Sequence, residues 1–270
     1  MRSVFFISDR TGITTEALGN ALLTQFGDVA LRKELIPFVD TELKVDQAII
    51  KINNRYQREG VRPIVITSII NPDLRNKFNL DYVFHMDFFE AFIPSLEAEL
   101  GQEASSVIGK SHGISDEAKY YKRIDAIDFS LINDDGVSDK NFHEADVILI
   151  GVSRVGKTPT CLYLAINYGI KAANYPLAEI DLKHDHLPKI LVPFHNKLFG
   201  LTIEVNRLQH IRANRIPNSN YADPINCKLE VESAERIMQR YDIPFLNTSH
   251  KSIEEISVAI MQSVNLHRKF

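Results

Sequence analysis

The sequence predicts an α/β protein built as two α/β units, and three observations predict it. Short apolar runs alternate with amphipathic helical patterns up to Leu100, the signature of parallel pairing in a layered sheet. The polar, glycine-punctuated stretch Gly101-Gln-Glu-Ala-Ser-Ser, followed by Gly109-Lys-Ser-His-Gly, then breaks the periodicity. Beyond it, Val147-Ile148-Leu149-Ile150 reads as a buried strand that runs through a glycine loop into a helix. The units predicted are a Rossmann-like layer over 1–104 and a P-loop kinase-like unit over 105–270.

Each element has its own reason. Val4–Ile7, Arg32–Phe38, Pro63–Ser68 and Tyr82–His85 are short and β-rich, so they read as strands. Thr14–Phe26, Thr41–Gly60, Pro72–Phe78 and Phe88–Leu100 read as the helices between and after them. The longest, Thr41–Gly60, places Val45, Ile49, Ile52 and Tyr56 on one face. In the second unit Glu117–Phe129 is helical and Asn133-Asp-Asp-Gly136 is a turn. Thr158–Ile170 carries Leu162, Leu164, Ala165 and Ile166 at helical spacing, and Ala172–Tyr175 follows as a strand. A stretch rich in proline and histidine runs to Pro193. Leu198–Ile203 and Pro244–Asn247 read as strands, Val205–Ile211 and Leu229–Tyr241 as helices. Ser252-Ile-Glu-Glu255 is a capping box opening a last helix to Leu266.

Composition excludes several classes. Hydrophobic content of 44% and charged content of 24% are those of a globular chain. A net charge of −4 and a pI near 6.1 argue against general nucleic-acid affinity. No apolar run approaches the length of a membrane span, and Ser8-Asp9-Arg10 ends the first one too early for a signal peptide. Cys161 and Cys227 lack metal-ligand spacing, and Cys161 is expected to be packed inside its helix. A cytoplasmic protein is expected.

Chemistry concentrates in Gly151-Val152-Ser153-Arg154-Val155-Gly156-Lys157-Thr158, which fits G-x-x-x-x-G-K-[ST] between a strand and a helix. Glycines permit backbone conformations that turn successive N–H groups toward an anion. The helix N-terminus adds fractional positive charge and Lys157 a full one, whose placement there opposes the helix dipole unless an anion compensates it. The Thr158 hydroxyl is the candidate Mg²⁺ ligand, and also an ordinary first-turn residue. The backbones of Ser153 and Arg154 are expected to matter more than their side chains, although Arg154 has the reach to meet a transferred phosphoryl group. Pro159 is simply tolerated in a first turn.

Other candidates carry two readings each. Asp134 and Asp135 are turn residues before a glycine, or else carboxylates that accept a hydroxyl proton or hold Mg²⁺ through water; Asp181 is the next candidate base. Ser8-Asp9-Arg10-Thr11-Gly12 is a strand-to-helix loop where α/β sheets bind ligands, or a loop in which Asp9 or Thr11 caps the helix. His184 and His186 lack a third ligand and read as surface residues rather than a metal site. His112, beside Lys110 and Ser111, reads as part of a polar linker.

Several blocks together resemble one family. Phe5-Phe-Ile-Ser-Asp-Arg-Thr-Gly-Ile-Thr-Thr-Glu16 with Leu22-Leu-Thr-Gln-Phe26 resembles the amino-terminal signature of the bacterial and plant regulators of pyruvate, phosphate dikinase, a family that includes the regulators of phosphoenolpyruvate synthetase. Tyr121–Phe129, Asn133–Gly136 and Gly151–Thr160 resemble its central blocks, Leu162–Ala165 and Phe199–Thr202 its later ones. The chain departs from the pattern at Arg10 and Asn133, and Asn133 weakens any claim for a catalytic histidine just before the Asp pair. The resemblance implies a bifunctional enzyme. Members phosphorylate a threonine of the dikinase close to its phosphohistidine, with ADP as donor, and remove that phosphate with inorganic phosphate, releasing pyrophosphate. The residues read for this chemistry are Lys157, Asp134 and Asp135 as catalytic, Gly151–Thr158 as the nucleotide and phosphate site, and Thr158 as the Mg²⁺ ligand. The expected partner is pyruvate, phosphate dikinase, with phosphoenolpyruvate synthetase as the alternative, and the expected assembly is a homodimer with no nucleic acid or membrane partner.

Three rival readings stand beside it. A small-molecule P-loop kinase predicts a metabolite pocket. A nucleotide sensor predicts ADP binding without phosphotransfer. A GTPase-like switch is weakened because Asn196-Lys197 continues as Leu198-Phe199, not as N-K-x-D.

Overall fold

A computed structural model of the chain describes residues 1–105, 117–134 and 141–269. The chain divides into two compact units, Met1–Gly113 and Ile114–Phe270. Each is a four-stranded parallel sheet with helices, so the two α/β units expected from the sequence are present.

In the first unit the elements are β1 (Arg2–Ser8), α1 (Ile13–Leu23), β2 (Leu31–Ile36), α2 (Glu42–Glu59), β3 (Ile64–Ser68), α3 (Pro72–Arg75), β4 (Phe84–Asp87) and α4 (Phe88–Leu100). Strand order is β2-β1-β3-β4, with Val4 opposite both Lys33 and Ile64. A central parallel strand is covered on both faces, which explains the unbroken apolar run of β1. Phe5 and Ile7 pack with Val45, Ala48 and Ile52 of α2, while Val4 and Phe6 pack with Ile66 and Phe88 on the other face. Two expectations need correcting here. The fourth strand starts at Phe84, because Tyr82 lies in the turn before it. Neither Asp9 nor Thr11 caps α1: Gly12, at φ 76°, stands at that position, and the Asp9 carboxylate accepts instead from the Ile70 N–H at 2.9 Å.

The second unit has α5 (Glu117–Ile132), β5 (Val147–Gly151), α6 (Lys157–Tyr168), β6 (Ala172–Pro176), α7 (Glu179–Lys183), β7 (Leu198–Thr202), α8 (Val205–Arg215), α9 (Pro224–Arg240), β8 (Phe245–Asn247) and α10 (Ile253–Ser263). Its order, β6-β5-β7-β8, repeats that of the first unit. Every residue of β5 is buried, and its apolar side chains join one core with Leu164, Leu201, Ile237 and Ile260. The capping box forms as read, with Ser252 Oγ accepting from Glu255 N and Glu255 from Ser252 N. Helix α9 starts five residues earlier than its periodicity suggests, because Asp223 accepts from the N–H groups of Ile225 and Asn226 and Pro224 fills the first helical position. The short α7 lies in the proline- and histidine-containing stretch that runs to Pro193. In both units the first strand sits where the chain leaves to opposite sides, so the loops after β1 and β5 open at the switch point of their sheets.

Polar groups in the first unit form a network below that edge. The Thr67 hydroxyl donates to Asp87 at 2.5 Å and lies 2.8 Å from His85 Nε2, while His85 Nδ1 lies 2.6 Å from Asn79 Oδ1. Burial lowers the pKa of His85 against the opposing pull of Asp87 and Glu90, with Arg75 adding to the depression. The unfolded chain therefore takes up this proton more readily than the folded one. Stability from this group is full above the ordinary imidazole pKa of about 6.5 and is lost as pH falls from there through the lowered folded value. His85→Gln is expected to flatten the fall of the first unit's urea midpoint between pH 7.5 and 5. An unchanged pH slope in the variant contradicts this assignment.

Candidate functional site

The loop after β5 is built by backbone conformations that few residues adopt. Gly151 has φ 146°, Arg154 φ 80° and Gly156 φ 94°. At Gly151 a Cβ would stand 2.2 Å from the Leu201 carbonyl oxygen, so only glycine lets β5 and β7 approach this closely; at Gly156 a Cβ would meet nothing within 4 Å. The carbonyls of the loop are held by donors of the surrounding protein. Gly151 O accepts from Lys157 Nζ at 2.9 Å and Leu177 N at 3.1 Å, and Val152 O from Lys157 Nζ at 2.9 Å. Ser153 O accepts from Arg212 Nη2 at 3.2 Å, Val155 O from Thr248 Oγ1 at 3.1 Å, and Gly156 O from Thr160 Oγ1 at 2.8 Å. In a planar trans peptide the N–H points opposite its C=O. Tying carbonyls to the scaffold therefore turns the N–H groups that follow them away from it, which is how a backbone anion cradle is made.

Side chains cluster at the start of α6. Lys157 is buried at 5% exposure with its ammonium among the loop carbonyls. The Thr158 hydroxyl donates to Asp134 Oδ1 at 2.8 Å. Asn174 Nδ2 donates to the same carboxylate oxygen at 2.5 Å and lies 3.1 Å from Thr158 Oγ1. Asp134 reaches this point because Asn133 N donates to Phe129 O at 3.0 Å while Asn133 O accepts from Asn174 N at 3.0 Å, fastening the end of α5 to β6. The hydroxyl of Thr158 and the carboxylate of Asp134 are hard oxygen donors of the kind Mg²⁺ takes. Among the described residues no group of three or more His, Cys, Asp or Glu side chains is placed to hold a metal ion.

The other sequence candidates are placed as follows. Asp135, Lys110, Ser111 and His112 lie outside the described residues. Ser153 Oγ is 3.0 Å from Tyr221 OH, and Arg154 is exposed. The Asp181 carboxylate accepts from Ala178 N at 2.9 Å, closing the first turn of α7. His184 and His186 are exposed, as read. The Cys161 thiol is buried against the Ala173 carbonyl, and burial pushes its pKa up. In the first unit the Ser8–Gly12 loop edges a groove of about 450 Å³ whose walls include Ile13, Leu18, Phe89, Phe92 and Leu96.

Sequence reading missed Asn174, Arg212, Tyr221 and Thr248. No local motif marks them, because each reaches the loop from a distant part of the second unit. Arg212 alone left a signal: it follows the buried Leu208 by one helical turn, a charge at a core-facing phase of α8.

Comparison with known proteins is consistent along the whole length. A family profile described as "Kinase/pyrophosphorylase" matches residues 4–261. A protein of Laribacter hongkongensis is 53% identical over all of this chain and 98% of its own length. One from Neisseria meningitidis is 49% identical over 100% of this chain and 98% of its own, and one from Dichelobacter nodosus 48% over 100% and 99%. All three carry the name "Putative phosphoenolpyruvate synthase regulatory protein".

The two loop glycines are expected to respond differently to alanine. Gly156→Ala meets open space and bears only the left-handed backbone, at about 1–2 kcal/mol. Gly151→Ala must also displace a backbone carbonyl of β7, for a total on the order of 3 kcal/mol or more. Urea unfolding of the second unit measures both, and equal midpoints contradict the close-approach argument.

Proposed function

The chain belongs to the kinase/pyrophosphorylase family, and from that premise we propose that it is a bifunctional regulator of phosphoenolpyruvate synthase. In this reading it phosphorylates a threonine of that enzyme with ADP and removes the phosphate with inorganic phosphate. The relatives' names favour this target over pyruvate, phosphate dikinase, the first expectation from sequence. The observation that carries the reading is the meeting of Lys157, Thr158 and Asp134 at a loop whose carbonyls are tied back to the protein. A pattern fitted by chance has no reason to bring a distant carboxylate onto its threonine.

The two half-reactions balance on one cradle. In the first, the target threonine oxygen attacks the β-phosphorus of ADP, the bond to the bridging oxygen breaks, AMP leaves, and the hydroxyl proton passes to a carboxylate. In the second, an oxygen of inorganic phosphate attacks the phosphothreonine, the bond to the threonine oxygen breaks, that oxygen regains a proton, and pyrophosphate leaves. The loop N–H groups and Lys157 hold the phosphate oxygens that both reactions share. Thr158, with Asp134 beside it, would hold Mg²⁺, which would supply charge neutralisation on the transferring group. Asp134 already accepts from Thr158 and Asn174 and so orders the loop side. The proton-accepting role falls to Asp135.

The direct test is purified protein with phosphoenolpyruvate synthase and ADP labelled in its β-phosphate, with labelled ATP in parallel. Phosphothreonine on the target from ADP, and pyrophosphate on adding inorganic phosphate, are expected. Transfer to a small metabolite, or none to the synthase, contradicts the reading. Lys157→Ala is expected to lower both directions by about 10²–10³ with the fold intact. The aspartates are expected to separate. Asp135→Asn lowers both rates by about 10²–10⁴ without changing ADP affinity, as loss of a positioned base does. Asp134→Asn instead weakens Mg²⁺-dependent ADP binding. Kinetics in which the two variants behave alike would overturn this division of labour.

A further inference from the structure

Among the described residues the largest fully buried side chain is charged, and it lies behind the glycine loop. Arg212 is 0% exposed. Its Nη2 donates to Glu230 at 2.6 Å and to the Ser153 carbonyl at 3.2 Å, and its Nη1 donates to the Tyr221 carbonyl at 3.1 Å. The guanidinium lies over the Tyr221 ring, 4.3 Å from its centre. Tyr221 OH in turn stands 3.0 Å from Ser153 Oγ. Arg212 and Tyr221 thus grip one residue, Ser153, by its carbonyl and by its side chain.

A buried ion pair is weak evidence of a gain in stability, because apolar residues of similar volume often serve a core as well or better. The geometry of this one points to another use. We propose that Arg212 and Tyr221 are positioning residues that clamp Ser153 so that the N–H of Arg154 faces the bound phosphate. The proposal rests on the reading of Gly151–Thr158 as a phosphate cradle.

Peptide geometry makes the link. The Ser153 carbonyl and the Arg154 N–H belong to one planar trans peptide and point in opposite directions. Drawing the carbonyl toward α8 aims that N–H away from α8. Arg154 holds φ 80°, a conformation that side-chain-bearing residues disfavour and that needs an outside constraint to persist. The clamp supplies it. A cation on the carbonyl also polarises the peptide and makes its N–H a stronger donor to an anion. Full burial keeps Arg212 itself off the ligand, so its influence passes through Ser153. A lysine cannot replace it, because one ammonium does not reproduce the planar fork that spans two carbonyls and a carboxylate while stacking on a ring.

The test measures ADP affinity by titration calorimetry in Mg²⁺ buffer, and urea midpoints, on the full chain. Arg212→Met combined with Glu230→Met removes both charges and keeps the core filled. Tyr221→Phe keeps the stacked ring and removes only the hydroxyl from Ser153. The double variant is expected to unfold at the wild-type midpoint and bind ADP about 10- to 100-fold more weakly, the range for one weakened hydrogen bond to a charged group. Its KM for ADP rises in step, more than its kcat falls. Tyr221→Phe is expected to weaken ADP binding several-fold at an unchanged midpoint. Wild-type affinity in a folded double variant overturns the clamp. Should the double variant not fold, wild-type affinity in Tyr221→Phe overturns it. Wild-type protein that binds no ADP overturns the cradle reading itself, and is thereby told apart from failure of the clamp alone.

Discussion

Where β5 ends, its backbone presses so close to the Leu201 carbonyl of β7 that no side chain fits between them. That contact fixes where the loop begins. Gly151 pairs with Pro176 on one side while its neighbour Ile150 pairs with Gly200 on the other, so the loop leaves from the middle of the sheet at a set height. Everything described at the site hangs from that point. Asn174 comes to Thr158 because it lies two residues before Pro176 on β6. Thr248 comes to the Val155 carbonyl from the chain just past β8. A looser junction would leave these side chains without a fixed target.

Much of this was legible in the sequence, and the limit has a physical cause. Strand β5, the loop and helix α6 are encoded within consecutive residues, as apolar continuity, glycine spacing and helical period. The last helix announced itself in the same way through Ser252 and Glu255. Asp134 was readable as a candidate, but its contact with Thr158 was not, since the two meet through the pairing of β5 with β6 and the tie from Asn133 to Asn174. The error at Asp9 is of the same kind. A local rule offered it the helix start, and the Ile70 N–H just past the end of a neighbouring strand claimed the carboxylate instead. The start of α9 was different, because the Asp223-Pro224 signal stood in the sequence and the apolar period beginning at Leu229 outweighed it.

The two units share a strand order but not a chemistry at the switch point. After β1 the chain turns into α1 through Gly12, with the Ser8 hydroxyl near that of Ser68, and Thr15 hydrogen-bonded to Ser68. The Asp9 carboxylate of the same turn is buried and accepts from the Ile70 N–H at 2.9 Å, while Arg10 is exposed. After β5 the corresponding turn carries Lys157 and Thr158, and the carbonyls around it face donors that include two cations. The same topology thus places hydroxyls and a buried carboxylate at the turn of one unit and, in the other, a loop whose carbonyls are held by cations and hydroxyls. Topology decides where a loop lies, and the side chains behind it decide how its peptide groups are turned.

On the proposed reading, a further constraint follows from what the two half-reactions have in common. ADP and inorganic phosphate share no base and no ribose, only phosphate oxygens. An enzyme that uses both at one place needs its rigid parts at the phosphate subsite, and can leave the nucleoside to weaker contacts. The distribution of order around the loop has this character. The carbonyls of Gly151, Val152, Ser153, Val155 and Gly156 are each held by the protein, and Lys157 and Arg212, the cations that hold three of them, are buried. A cradle fixed from behind in this way loses little when its ligand changes from a diphosphate to a single phosphate, because its shape does not depend on either. That independence is what a site must have to run transfer in one direction and phosphorolysis in the other.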